Sequence, residues 1–292
     1  MGVFKNRKIS QRNMNRLVYM MGFKKTSPLE SNIRAHNKVA KKYERIHGEI
    51  YNDVEQTRLH ESLATALSYV NTGNDIKIVL DFGCGAGNLT KHLTSLGCEV
   101  IASDVSQGFL DIVASRSYSA PVKTVRLNGI DLSNISSESV DMVATYSVLH
   151  HVPDYLAILK EFMRVLKNGG VIYIDHELSE NAWKNDSGLK AFELEMKGKS
   201  IQEPGKYFVL TNYVDWAIRQ FINPRFRREG DIHVFEDDRI EWQKVADTII
   251  DAGGDVLFQI DYLLFKKNYD PAVYKSYKER VFDTCLMVAR KL

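Results

Sequence analysis

The sequence predicts an α/β fold, namely a doubly wound, mainly parallel seven-stranded sheet with helices on both faces and a helical cap insertion. Two observations predict this architecture. Short apolar segments rich in β-branched residues alternate with helical segments along much of the chain, a pattern typical of parallel sheets covered by helices. The chain has 292 residues, of which 44% are hydrophobic, and this is enough to bury one large core with an elaboration.

The alternation begins after a helical stretch at 53–70, which leads through a turn-rich segment into the first strand. Seven strands are predicted, at 76–82, 99–103, 122–127, 140–146, 171–175, 255–265 and 281–289. Helices fit between the strands, and the helix at 240–252 ends at a Gly-Gly stop. The alternation lapses from about 178 to 238, and we interpret this stretch as an inserted cap.

Two further helices are predicted before the sheet. Residues 1–26 contain seven Lys or Arg side chains and no acidic one, with apolar residues at helical spacing. This basic amphipathic helix either packs on the domain with a solvated basic face or contacts a membrane surface or an acidic partner. The second helix begins at Ser27-Pro28, where Glu30 completes a capping box.

Composition narrows the expected partners and location. A net charge of +2 does not favour nucleic acid, which usually binds a strongly basic domain or stripe. The three cysteines, Cys84, Cys98 and Cys285, are too widely spaced for a disulfide framework or a zinc site, so no metal is expected. A reducing, cytoplasmic setting is the expectation, and the apolar run at 17–23 is too short to span a membrane.

A glycine-rich turn follows the first predicted strand. Asp81 precedes Gly83, Gly85 and Gly87 in the order strand, turn, helix. Glycines allow positive φ and close approach of a ligand to the backbone, and the helix N-terminus offers free amides. The dinucleotide-binding fingerprint G-x-G-x-x-G would require a further glycine at 88 or 90, where this chain has asparagine and threonine.

The turn resembles the first motif of class I S-adenosylmethionine-dependent methyltransferases. Later segments extend the resemblance over about 76–176, including 139–143, 147–154 and 161–170. It implies that the chain binds S-adenosylmethionine as its methyl donor. The residues implied in donor binding are Asp81, Gly83, Gly85, Gly87, Asp104, Val105, Gly129, Ile130, Asp131 and Tyr146.

Asp104 closes the second strand, 17 positions after Gly87, where an acidic side chain can accept hydrogen bonds from ribose hydroxyls. Its alternative role is to cap the next helix. The segment 127–132 resembles the adenine-contacting region of the family, and either Asn128 or Asp131 is the candidate for the adenine amino group.

Three histidines are candidate catalytic bases. His150 and His151 follow the fourth strand and His176 follows the fifth, at the sheet edge where open parallel sheets bind ligands. A base is required only if the acceptor must lose a proton, as a hydroxyl must. His151 is the leading candidate, and a structural or pocket-lining role is the alternative for each.

The resemblance implies four regions: N-terminal helices covering the donor site (1–70), a Rossmann-like core (71–177), a cap for the acceptor (178–238) and a C-terminal completion of the core (239–292). The predicted reaction transfers a methyl group to oxygen, nitrogen or carbon of a small-molecule or lipid-like acceptor. The alternatives are a non-catalytic donor-binding partner subunit, a macromolecular methyltransferase and a nicotinamide oxidoreductase, which the glycine spacing disfavours.

Overall fold

The computed structural model describes residues 47–184, 186–199 and 239–292, together with Asn37, Ala40 and Glu44. The basic segment 1–26, most of the helix predicted after it and the cap from 200 to 238 lie outside these residues. Within the described ranges, every helix is too short or too polar to cross a lipid bilayer.

A single sheet of seven strands forms the centre of the described structure, in the order β3-β2-β1-β4-β5-β7-β6. Neighbouring strands among the first five are parallel, whereas β7 is antiparallel to both β5 and β6. The predicted fold class is therefore confirmed. The strands are β1 (Ile78–Phe82), β2 (Glu99–Asp104), β3 (Val122–Arg126), β4 (Val140–Tyr146), β5 (Leu166–Leu178), β6 (Gly254–Tyr262) and β7 (Thr284–Lys291).

Helices cover both faces of the sheet. They are α1 (Asp53–Ser68), α2 (Asn88–Ser95), α3 (Gln107–Ala114), α4 (Tyr155–Val165), α5 (Ser187–Lys199), α6 (Trp242–Asp251) and α7 (Pro271–Tyr277). Short polar side chains begin several of them. Asn52 accepts a hydrogen bond from the Glu55 amide at the start of α1, and Asp154 accepts one from the Ala157 amide at the start of α4, as N-cap residues do.

Alternate residues of the central strands pack on opposite faces. Leu80 of β1 lies in one hydrophobic cluster with Phe162 of α4 and Trp242 of α6, whereas Val79 lies in the other with Leu63 of α1. This alternation is the period-2 side-chain geometry of a strand. Because both faces are covered, β4 is buried at every position, as parallel strands usually are.

Strand β5 differs most from its prediction, because it extends from 166 to 178 rather than from 171 to 175. Its last residues, Glu177 and Leu178, pair with Cys285 and Thr284 of β7 after a register shift that follows Ile174. Periodicity did not reveal the extension at the carboxyl end because His176 and Glu177 are polar. The extension carries β5 beyond the edge at which β1, β2 and β4 end, and its polar residues lie beside the candidate site.

Candidate active site

A cleft opens at the carboxyl ends of β1, β2 and β4. It contains about 860 Å³ of empty space, which includes the open solvent at its mouth. Its walls include these residues predicted from the sequence: Gly83, Gly85, Asp104, Val105, Gly129, Ile130, Asp131, Tyr146 and His151. They also include residues that the sequence analysis placed only within longer motifs, namely Leu127, Ser147, Val148, Val152 and Pro153. Phe82, Phe109 and Ile158 complete the walls and were not singled out.

The glycine turn forms the floor of this cleft. The amides of Gly83 and Cys84 both donate to the Ser103 carbonyl, each at 2.9 Å. A Cβ on Gly83, which has φ +73°, would lie 2.6 Å from Val148 Cγ2, whereas a Cβ on Gly85 would meet nothing within 4 Å. Gly83 is thus required for packing against the loop after β4, and Gly85 presents backbone without a side chain to the open cleft.

Asp104 both lines the cleft and holds the turn. Its Oδ2 accepts a hydrogen bond from the Gly85 amide at 3.0 Å, and its Oδ1 accepts one from the Ser106 amide at 2.7 Å. An ionised carboxylate has about four acceptor positions, and this one lines the cleft. The capping role considered for Asp104 is instead performed by Ser106. Its hydroxyl accepts a hydrogen bond from the Phe109 amide at the start of α3.

Two predicted donor residues, Asp81 and Gly87, do not line the cleft. Asp81 is fully buried, and its Oδ2 accepts a hydrogen bond from the Thr90 hydroxyl at 2.5 Å. Burial raises the pKa of Asp81 to about 7, with the Thr90 bond opposing this shift and the charge of Asp104 adding to it. Gly87 lies in the left-handed region as the N-cap of α2. The structure thus places both residues behind the turn.

In the turn after β3, the two candidates for the adenine contact have different roles. Asn128 Oδ1 accepts hydrogen bonds from the amides of Ile130 and Asp131, at 2.8 and 3.0 Å, and its Nδ2 donates to Asp131 Oδ1 at 2.7 Å. Asn128 therefore stabilises the turn, while Asp131 and the largely exposed Ile130 form the cleft wall. Gly129, with φ +76°, permits this tight geometry.

The loop after β4 brings two of the candidate histidines together. A short 3-10 helix, Leu149–His151, carries both rings, and their centroids are 3.9 Å apart. His151 lines the cleft. The buried His150 does not, and its Nδ1 lies 2.7 Å from Glu177 Oε2.

The third candidate, His176, lies on the far side of Tyr146, with the two rings stacked at 4.5 Å. It does not line the cleft, and its Nε2 is buried without a hydrogen-bond partner among the described residues. Burial lowers the pKa of His176 to about 4, although the nearby Asp175 carboxylate acts in the opposite direction. A neutral, shielded imidazole is a weaker candidate for a base than the pair after β4.

A buried ionic cluster that the sequence did not reveal connects α1 to the site. Arg58 binds both carboxylate oxygens of Glu55, and its Nη2 donates to Asp175 Oδ2 at 2.8 Å. The hydroxyl of the cleft residue Tyr146 donates to Glu55 Oε1 at 2.8 Å. Because Arg58 and Asp175 are 117 positions apart, no local sequence motif could predict their contact.

The region around this cleft matches known proteins. Residues 80–174 match the family model described as "Methyltransferase domain". The fold and the site thus resemble those of Rossmann-like methyltransferases, and the resemblance to the class I family that the sequence indicates is confirmed.

Curated relatives include the ubiquinone biosynthesis O-methyltransferase of Xanthomonas oryzae pv. oryzae (strain PXO99A), 32% identical over 126 residues, which are 42% of this chain and 53% of the relative. The protein of the same name from Xanthomonas campestris pv. campestris (strain B100) is 34% identical over 98 residues, 33% of this chain and 41% of the relative. The chain thus spans about half the length of the curated relatives it matches.

Solved structures show the same fold at low sequence identity. A SAM-dependent methyltransferase from Anabaena variabilis superposes with a TM-score of 0.55 at 17% identity, covering 91% of this chain and 96% of that one. One from Methanosarcina mazei has a TM-score of 0.50 at 18% identity, covering 78% and 97%. The likeness extends well beyond the segment that the family model matches.

Proposed function

We propose that this protein transfers a methyl group from S-adenosylmethionine to a small-molecule acceptor and releases S-adenosylhomocysteine. The observation that carries the proposal is the cleft itself, where Gly85 offers a backbone surface without a side chain beside the carboxylate of Asp104. These residues fit a ligand with an amino-acid end and a ribose. They lie within the chain segment that matches the methyltransferase family.

The residues of the chain have distinct parts in this proposal. S-adenosylmethionine supplies an activated methyl group on a sulfonium, so the protein's task is to bind, align and exclude water. Asp104 would accept hydrogen bonds from the ribose hydroxyls of the donor, and Asp131 would lie near its adenine ring. The apolar side chains of Phe109, Leu127 and Ile158 would keep the cleft dry.

For the acceptor we propose a hydroxyl group on a small, lipid-like molecule. The names of the curated relatives, ubiquinone biosynthesis O-methyltransferases, support oxygen as the methylated atom. A hydroxyl must lose its proton during transfer, and the histidine pair beside the cleft offers a base. The three cysteines are free thiols, which supports a reducing, cytoplasmic setting.

Titration calorimetry and a labelled-donor assay test the proposal. S-adenosylmethionine and S-adenosylhomocysteine should each bind with one site per chain, while NAD should not bind. Incubation with methyl-labelled donor and a panel of phenolic lipids should transfer label to an ether oxygen. Failure to bind either donor form would overturn the proposal. Donor binding without transfer to any member of a metabolite extract would favour a non-catalytic partner subunit.

A further inference from the structure

Ser147, the residue directly after β4, combines a strained backbone with an uncommitted hydroxyl. Its φ is +59°, in the left-handed region that residues other than glycine rarely adopt. It is half-buried and lines the cleft. Its hydroxyl oxygen is not fully buried and forms no hydrogen bond to another described residue. Strained residues cluster at sites that bind or transform ligands, so Ser147 is a candidate for a ligand contact.

Contacts from two elements hold Ser147 in this conformation. Its own amide donates to the Asp175 carbonyl at 2.9 Å. The amides of the next two residues donate to the buried carboxylate of Glu177, at 2.8 and 2.7 Å. Val148 also packs so closely on Gly83 that a Cβ there would lie 2.6 Å from Val148 Cγ2. Backbone strain persists only where the surroundings enforce it, and here β5 and the glycine turn do so.

The order of the strands indicates which part of the donor Ser147 would face. The sheet order is β3-β2-β1-β4. The proposed adenine contact follows β3, the proposed ribose contact Asp104 ends β2, and the glycine turn follows β1. In S-adenosylmethionine the sulfonium is attached to the ribose on the side away from adenine. A donor bound in this order would bring its methyl group towards the end of β4, where Ser147 lies.

The side chains around Ser147 suit an uncharged acceptor with an apolar body. Val148, Val152 and Pro153 of the same loop line the cleft, and His151 is the loop's other polar contribution to its wall. The charged amino-acid end of the donor suits the start of α2, beside the glycine turn. A serine hydroxyl has two acceptor positions and one donor. It can therefore accept a hydrogen bond from a neutral O–H group and leave the lone pairs of that oxygen free to face the methyl group.

We propose that Ser147 is a specificity-determining residue, whose hydroxyl accepts a hydrogen bond from the acceptor hydroxyl that is to be methylated. This inference rests on the proposed function and identifies the residue that recognises the acceptor. The ligand class that fits is a phenol or alcohol with an apolar body. A site that hydrogen-bonds a substrate hydroxyl discriminates strongly against the analogue that lacks it.

The variant Ser147→Ala removes the hydroxyl and keeps the backbone constraint, because alanine adopts positive φ as reluctantly as serine. The probe is para-butylphenol, added to protein saturated with S-adenosylhomocysteine. Its Kd, measured by calorimetry, should rise by about tenfold in the variant, because one hydrogen bond in a desolvated site is lost. With S-adenosylmethionine in place of S-adenosylhomocysteine, kcat/KM for the same phenol should fall by a similar factor. The Kd of S-adenosylhomocysteine should stay within about twofold.

Matched controls separate the hydrogen bond from the backbone strain. Ser147→Gly removes the hydroxyl and also relieves the strain, so it should bind the phenol as weakly as Ser147→Ala. It also serves if Ser147→Ala fails to fold. Glu138 has φ +51° and is exposed just before the opposite end of β4, so Glu138→Gly should leave phenol affinity unchanged. Butylbenzene, which lacks the hydroxyl, should bind the unmutated protein and Ser147→Ala equally.

Phenol affinity that is the same in the unmutated protein, Ser147→Ala and Ser147→Gly would overturn the inference. So would an unmutated protein that binds S-adenosylhomocysteine but not the phenol. A tenfold loss of S-adenosylhomocysteine affinity in both Ser147 variants would also overturn it, because the hydroxyl would then contact the donor. The proposed function fails by a different result, namely an unmutated protein that binds neither S-adenosylmethionine nor S-adenosylhomocysteine.

Discussion

The two sides of the cleft use their acidic residues in opposite ways. On the donor side, Asp104 accepts hydrogen bonds from the amides of Gly85 and Ser106 and lines the cleft. On the other side, Asp175 and Glu177 are fully buried and direct their oxygens at partners within the protein. The first arrangement suits recognition of a ligand by the carboxylate itself. The second suits the positioning of other groups, and its cost is a set of charges that must stay paired.

Among the variants that test this comparison, the largest loss of stability should come from removing Arg58. Arg58→Leu would leave Glu55 and Asp175 buried together without a cation, and breaking a buried ion pair typically costs about 3–5 kcal/mol of unfolding free energy. Burial already raises the pKa of Glu55, with Arg58 opposing that shift, so the variant should take up a proton on folding. Urea denaturation at neutral pH measures the loss.

The exposed pair Lys244–Glu241 is the matched control, at 57% and 46% side-chain exposure. Lys244→Leu should leave the denaturation midpoint almost unchanged, since solvated pairs contribute little. An Arg58→Leu variant as stable as Lys244→Leu would mean that the cluster does not hold α1 against β5.

The next largest effect is on donor affinity, and it should differ between Asp104 and Asp81. Asp104→Ala should weaken S-adenosylmethionine binding by at least several-fold, because hydrogen bonds to a charged group contribute about 1.5–3 kcal/mol. Asp81→Asn should leave affinity within about threefold, since the amide oxygen can still accept from the Thr90 hydroxyl. Calorimetry of both variants at one pH makes the comparison. Equal losses would put Asp81 in direct contact with the donor.

Two glycines of the same turn should respond differently to alanine. Gly83→Ala should cost about 1–3 kcal/mol of stability, because its Cβ would lie 2.6 Å from Val148 Cγ2. Val148→Ala in the same chain should restore part of that loss. Gly85, with φ +49°, shares the backbone strain of a positive φ, but its Cβ meets no such neighbour. Gly85→Ala should therefore cost less stability than Gly83→Ala and should weaken donor binding, because its methyl group would project into the cleft. Thermal melts and calorimetry on the three variants distinguish packing from ligand contact.

The same contrast explains what could be predicted from the sequence. The donor side is local, because Asp81, the glycines and Asp104 fall within 24 consecutive residues, so strand, turn and helix signals placed them together. The other side is assembled across the chain. Glu177 meets His150 from 27 positions away and Arg58 meets Asp175 from 117, and no periodicity encodes such contacts.

Local signals also could not assign roles within the motif. Asp81 and Asp104 both follow buried strand residues, and only the structure shows that one faces Thr90 and the other the cleft. All three histidines were candidates by position at the sheet edge, with His151 as the leading one. Their environments separate them: His151 lines the cleft, His150 pairs with Glu177, and His176 is shielded behind Tyr146.

The smallest expected effect is a pH dependence of stability that originates at Asp81. Burial raises the pKa of its carboxyl in the folded protein to about 7 from 3.8, so the folded state holds this proton more tightly than the unfolded chain. Its stabilising contribution is therefore complete below about pH 4 and is lost as pH rises through about 7. Asp81→Asn cannot titrate and should lack this dependence. Between pH 6 and 8 the variant should gain about 1 kcal/mol relative to the unmutated protein, since one unit of pKa shift corresponds to about 1.4 kcal/mol.

Urea denaturation of both proteins at the two pH values measures the difference, and all other titrating groups cancel in it. A difference that is the same at pH 6 and pH 8 would mean that Asp81 is already ionised across this range. Asp81 would then resemble Asp104 in charge, and burial alone would no longer distinguish the two carboxylates.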